Sequence, residues 1–190
     1  MTGGVRRIGL LLALELTSGL GGCSRKEAPD DCVSERVVDP ALLAFLSQAR
    51  SAHHVADLRE AQGDAPGALR VLQGLTASAK PPGNAPEVEE VLADTRARCA
   101  DLLSVAGRFD QADLELSAGL ENARTPSYFR GHLFEVRGLV EERREKALRG
   151  TSRGQEADQA RDRSLAAYEE AMKIQAEVIA RAAAPPSAHK

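Results

Sequence analysis

The stretch Ala100–Leu116, ADLLSVAGRFDQADLEL, decides the fold. Leu102, Leu103 and Ala106 lie before Gly107, and Phe109, Ala112 and Leu116 after it, with helical spacing on both sides. Glycine tolerates the left-handed backbone that turns a chain at a helix end. The stretch therefore predicts two helices folded back on each other at Gly107, with Ala100 and Ala112 letting their axes cross closely. Upstream, Val88, Leu92, Thr95, Cys99, Leu102 and Ala106 continue one apolar stripe; downstream, Leu120 extends the other.

Ala56, Gly63-Asp64, Ala68 and Leu72 repeat the pattern without the aromatic residue. Leu42, Leu46, Ala49 and Ala56 mark a helix before them, and Ala68, Leu72 and Leu75 one after. Phe129, Leu133, Val136 and Val140 form a fifth stripe, and Leu165, Tyr168, Met172 and Ile179 a sixth. Strand-like alternation of useful length is absent from the sequence. An all-α domain of about six helices in three antiparallel pairs follows, over residues 40–182. Asp39-Pro40 and Thr125-Pro126 place a capping side chain before a proline at the first helical position. Asp64 precedes Pro66, and Asn84-Ala85-Pro86-Glu87 has the spacing of a capping box. The polar stretch Arg149–Arg163 reads as a long hairpin loop or as helical extensions, and 183–190 as a disordered tail. With 43% hydrophobic residues but only 3% aromatic and no Trp, the core rests on Ala, Leu and Val, which suits closely packed helices.

Small residue, apolar residue, turn glycine, aromatic and second small residue at Ala100, Leu103, Gly107, Phe109 and Ala112 resemble the tetratricopeptide repeat family. Gly138 with Tyr168, Ala171 and Met172 resembles a third unit. The resemblance covers roughly residues 45–180 and implies a short right-handed solenoid of three helix hairpins. It further implies that the first helix of each pair lines a face that binds extended peptides or helices. Placing Ala56, Ala100 and Gly138 at the family's small position puts Arg50, His53, Asp57 and Glu60 on that face. Asp94 and Asp101 come from the second unit and His132, Glu135 and Glu142 from the third. The set is mostly acidic, which fits a partner segment carrying Arg or Lys; the alternative is an ordinary solvated side of three helices. Solenoid ends normally carry a polar cap. Ala171, Ile174 and Val178 fall off the sixth stripe, so the last helix is expected to keep apolar surface open for self-association or a second contact.

Residues 1–22 have the form of a secretory leader: Arg6 and Arg7, the apolar run Ile8–Leu14, then Leu20-Gly21-Gly22. With Cys23 these last residues resemble a bacterial lipobox, which implies cleavage before Cys23 and lipidation of its sulfur. Ser24 then implies transit to the outer membrane, facing the periplasm. Residues 23–39 are polar and proline-bearing and read as a flexible tether of at most roughly 55 Å. Removing 1–22 takes Arg6, Arg7 and Glu15, so the net charge moves from −3 to −4, with 23 basic against 27 acidic residues. That balance gives no electrostatic case for nucleic acid.

Cys32 and Cys99 remain after Cys23, as a disulfide or with Cys99 as a packed core thiol. His53 and Asp57 share a helix face, but no second pair has metal-ligand spacing, so no metal and no other cofactor is expected. Hydrolase, P-loop and dinucleotide motifs are absent, and the Glu141–Lys146 run reads as a charged helix face. The expectation is a non-enzymatic adaptor held by lipid in the bacterial envelope, assembling or docking pilus, secretion or gliding machinery. The alternatives are a homo-oligomeric structural lipoprotein and an accessory or metal-dependent envelope enzyme.

Overall fold

The structure, a computed structural model, describes residues 39–184. Six helices and no strand occur among them: α1 Pro40–Ala61, α2 Ala65–Thr76, α3 Pro86–Val105, α4 Phe109–Asn122, α5 Tyr128–Leu148 and α6 Gly154–Ala183. The expected all-α class with six helices is what the chain adopts. The leader, Cys23, Cys32, most of the tether and residues 185–190 lie outside the described residues.

Two hairpin turns are built alike. Gly63 and Gly107, 44 residues apart, both adopt positive φ, at 77° and 71°. Gly63 N–H donates to the Glu60 carbonyl and Asp64 N–H to the Arg59 carbonyl, at 2.9 and 2.8 Å. Gly107 and Arg108 repeat those bonds to Ser104 and Leu103, at 3.0 and 2.9 Å. This is the paired closure that satisfies the last carbonyls of a helix. Gly150, at φ 83°, turns the third pair. The Arg149–Arg163 stretch therefore resolves mainly into helix, since α6 already begins at Gly154.

The helix starts obey the capping rule in part. Asp39 accepts from Ala41 N–H, and Asp64 accepts from Gly67 N–H, each at 2.8 Å. Arg59 holds the other Asp64 oxygen at 2.7 Å, and a Cβ on Gly67 would lie only 1.9 Å from it. Two expected caps are corrected. Asn84 does not cap α3; Ala85 stands at the cap position with no side-chain bond, and Pro86 opens the helix. Thr125-Pro126 does not start α5 either; Ser127 caps it, accepting from Arg130 N–H at 3.2 Å. A serine next to the first turn displaces the Thr-Pro signal because its shorter, unbranched side chain serves the cap well.

The largest core cluster joins α1 to α5 through Ala56, Ala68, Leu72, Ala100, Leu103, Ala112, Leu116, Leu133 and Val140, all essentially without exposure. Phe45, Ala49, Leu75, Val88 and Leu92 form a second cluster between the first helices. Each helix packs on its chain neighbour, and α3 also packs on both α1 and α5.

The sixth helix overturns the expected stripe. Its buried residues are Ala157, Ala160, Ser164, Ala167, Ala171 and Ile174, spaced three and four apart. Leu165, Met172 and Ile179 are 56%, 61% and 68% exposed, whereas Ile174 is 3% exposed. The cause lies in α5, which brings Gly131 and Gly138 to the contact. A Cβ on Gly138 would meet the Tyr168 ring at 2.6 Å, and Ser164 Oγ donates to the Gly138 carbonyl at 3.1 Å. Two axes this close are lined mainly by small side chains, so Leu165, Met172 and Ile179 turn outward while the flat Tyr168 ring lies over Gly138.

Candidate functional site

Where α3 follows α1, Arg98 of α3 reaches back over the earlier helix. Its Nη2 donates to Asp57 at 2.6 Å and to Glu60, and its Nη1 to the His53 carbonyl at 3.3 Å. His53 Nε2 lies 3.0 Å from Thr95 Oγ1, whose own hydroxyl donates to the Val91 carbonyl at 2.7 Å. The imidazole is thus the donor in that pair. Burial, helped by Arg98 and opposed by Asp94 and Asp57, holds the His53 pKa below its ordinary value.

The α3–α5 seam uses the same positions one unit later. Arg143 of α5 donates to Asp101 at 2.6 Å and to Ser104 Oγ at 2.5 Å. Asp101 and Ser104 stand 44 residues after Asp57 and Glu60. In both seams two acceptors, three residues apart, receive a guanidinium from the next odd-numbered helix.

Counted from Gly138, the third pair of positions is Leu139 and Glu142. Beside Glu142 stands Tyr168, whose pKa is pushed up to about 12 by burial and by this carboxylate. Two turns before Glu142, Glu135 accepts from Gln175 at 2.6 Å and lies 3.2 Å from His132 Nδ1. Among the described residues no further helix brings an arginine to this set.

The residues expected on one partner-binding face therefore fall into groups. His53, Asp57, Glu60 and Asp94 gather at the α1–α3 seam, and Asp101 sits in the α3–α5 seam. His132, Glu135 and Glu142 line α5 beside α6, and Arg50 is exposed on α1. The sequence reading missed Arg98 and Arg143. Their signal was present in the pairs 57/60 and 101/104, which share the 44-residue offset of the turn glycines.

A separate arginine-rich groove runs between α4 and α6 over α5. Arg144 donates to Asp113 at 2.5 Å and stacks over Phe109, 5.5 Å from its centroid. The buried Glu141 takes Arg163 at 2.8 Å and Arg144 at 3.4 Å. The groove widens into hollows of about 720 and 550 Å³, both lined by Arg144 and Arg163.

Cys99 has no exposure, and burial, with the Glu115 charge, pushes its thiol up to about 12. A thiol in that state is a packing group, not a nucleophile. Among the described residues no group of three or more His, Cys, Asp or Glu side chains is placed to hold a metal ion. Nor is any described helix long and apolar enough to cross a membrane. Comparison with family models, with curated proteins and with solved structures found no match to this chain.

Proposed function

We propose that the protein is a non-enzymatic, protein-binding adaptor, lipid-anchored through Cys23 in the bacterial envelope, that helps a multiprotein complex assemble or dock. One observation carries the binding part. At the positions that two earlier seams fill with the next helix, the α5–α6 pair carries Leu139 and the acceptor Glu142, and it exposes Leu139 with Leu165 and Met172. Units that stack bury such surface against a neighbour, and a last unit without one exposes it or lends it to another chain. The anchor rests on the Leu20–Cys23 motif. Acyl chains contribute about 0.8 kcal/mol per buried CH₂, enough for firm attachment.

The partner chemistry follows from charge. Of the six carboxylates Asp57, Glu60, Asp94, Asp101, Glu135 and Glu142, the first two share Arg98 and Asp101 takes Arg143, so the set holds more acids than the arginines paired with it. A segment bearing Arg or Lys complements that surplus. The test is purification of the full-length protein from detergent-solubilised membranes, beside Cys23→Ser. A stoichiometric second protein with the acylated wild type, reduced for Cys23→Ser, is expected. A wild type that comes out alone and without acyl mass contradicts both parts. A wild type that comes out as a stable homo-oligomer supports the structural-lipoprotein alternative instead.

A further inference from the structure

The free side of the α5–α6 pair is a groove with a defined chemistry. Its floor is Glu135, Glu142, Tyr168 and Gln175, joined across the two helices by the Gln175–Glu135 bond at 2.6 Å, with the Tyr168 ring laid over Gly138, four residues before Glu142. Leu139 stands four residues after Glu135 and three before Glu142, so it shares their side of α5. Leu165 and Met172 stand three before and four after Tyr168, and Ile179 four after Gln175, so they edge the same side of α6. All four apolar residues are exposed, from 37% at Leu139 to 68% at Ile179. One edge of the groove is therefore mostly apolar and its floor carries two carboxylates.

The two earlier seams show what such a groove receives. At each, the next odd-numbered helix packs its apolar face and delivers one guanidinium to acceptors three residues apart, Arg98 to Asp57 and Glu60, Arg143 to Asp101 and Ser104. The Glu142 carboxylate offers several acceptor sites that an incoming donor can use. Arginine suits the place better than lysine, because its planar fork can meet both oxygens of one carboxylate.

We propose that the α5–α6 groove binds an amphipathic helix of another protein, whose apolar face covers Leu139, Leu165, Met172 and Ile179 and whose flanking arginine pairs with Glu142. This rests on the adaptor reading and names the site and the chemistry of its partner. Leu165, Met172 and Ile179 recur every seven residues and so form an apolar strip along α6, on which the apolar face of a bound helix can lie.

The probe is a pair of labelled synthetic helical peptides with a Leu/Ala apolar face, one carrying Arg at its flank and the other Glu, titrated into the full-length protein by fluorescence anisotropy. The Arg peptide is expected to bind, and the Glu peptide at least about tenfold more weakly. Glu142→Lys should remove the difference between the peptides, Met172→Glu should abolish binding of both, and Glu121→Lys on α4 should change neither. Equal binding of the two peptides, no binding of either, or binding that survives Met172→Glu overturns the proposal. So does a doubling of native mass at micromolar concentration that Met172→Glu removes, because a second copy then fills the groove. A membrane partner that still co-purifies with the Met172→Glu protein sinks the groove and leaves the adaptor reading standing. Selective peptide binding by a protein that purifies from membranes alone does the reverse.

Discussion

Arg143 donates to the Asp101 carboxylate at 2.6 Å across the α3–α5 seam, as Arg98 does to Asp57 across the α1–α3 seam. The Asp101 side chain is 38% exposed, so solvent screens much of the attraction. A double-mutant cycle of Asp101→Ala and Arg143→Ala is expected to give a coupling below about 1 kcal/mol that shrinks in high salt. A coupling above about 3 kcal/mol would mean that the pair is shielded far more than its exposure indicates.

The turn glycines carry a different kind of constraint. Nothing stands within 4 Å of a Cβ built on Gly63 or Gly107, so the cost of a side chain there is conformational alone. Gly107→Ala, at φ 71°, should lower stability by about 1–2 kcal/mol, measured by urea unfolding with an unchanged slope. A neutral result would show that α3 and α4 do not need the left-handed closure.

Close crossing of helices makes Ala112 intolerant of bulk. It has no exposure and sits in the largest core cluster. Ala112→Leu should cost on the order of 1–3 kcal/mol, while the exposed Glu121→Ala stays within about 0.5 kcal/mol of wild type. Equal melting temperatures for the two variants would contradict the packing of the second hairpin.

The hairpins were legible in the sequence because a turn glycine and a small residue at a crossing leave local marks: Gly63, Gly107, Ala100 and Ala112 all serve as their spacing indicates. The face of α6 was not legible. Hydrophobic size points to Leu165, Met172 and Ile179, but Gly131 and Gly138 bring α5 so near that the buried face of α6 is Ala, Ser and one Ile, with only the flat Tyr168 ring laid over Gly138. The rule that large apolar residues face inward fails where the partner surface is built from glycine. The seam arginines were hidden for another reason. Arg98 and Asp57 are 41 residues apart, and Arg143 and Asp101 are 42 apart. Their pairing depends on how successive hairpins pack, which no local period encodes. Of the acidic residues singled out from the sequence, Asp57, Glu60 and Asp101 already have an arginine, and Glu135 and Glu142 face no further described helix.

His53 predicts an acid-sensitive seam. Its folded pKa lies below 6.5 because burial, with Arg98, disfavours the charged ring, while Asp94 and Asp57 work in the opposite direction. Below 6.5 the unfolded chain therefore binds more protons than the folded one. The stability this provides is complete above pH 6.5 and is lost as pH falls from there through the lowered folded pKa. His53→Gln should flatten that part of the profile, read as the urea midpoint between pH 7.5 and 5.5. An unchanged slope in the variant would assign the acid sensitivity to other groups.

Cys99 should be silent in the folded protein. With no exposure and a thiol pushed up to about 12, it is expected to resist alkylation at pH 8 until denaturant is added. Rapid native labelling at Cys99 would contradict the packing. In protein acylated at Cys23, a loss of two mass units that reductant restores would instead establish the bond to Cys32.

The central claim, that the protein works by holding another protein, is tested most directly by photo-crosslinking in living cells from a benzophenone side chain placed at Met172, with Glu121 as the control position. One dominant heterologous product is expected from Met172, absent from Glu121 and diminished by Glu142→Lys. Its cross-linked segment should be an amphipathic helix with an arginine beside its apolar face. Products no different from the Glu121 control at Met172, and equally at Arg50 and Asp94, would contradict it.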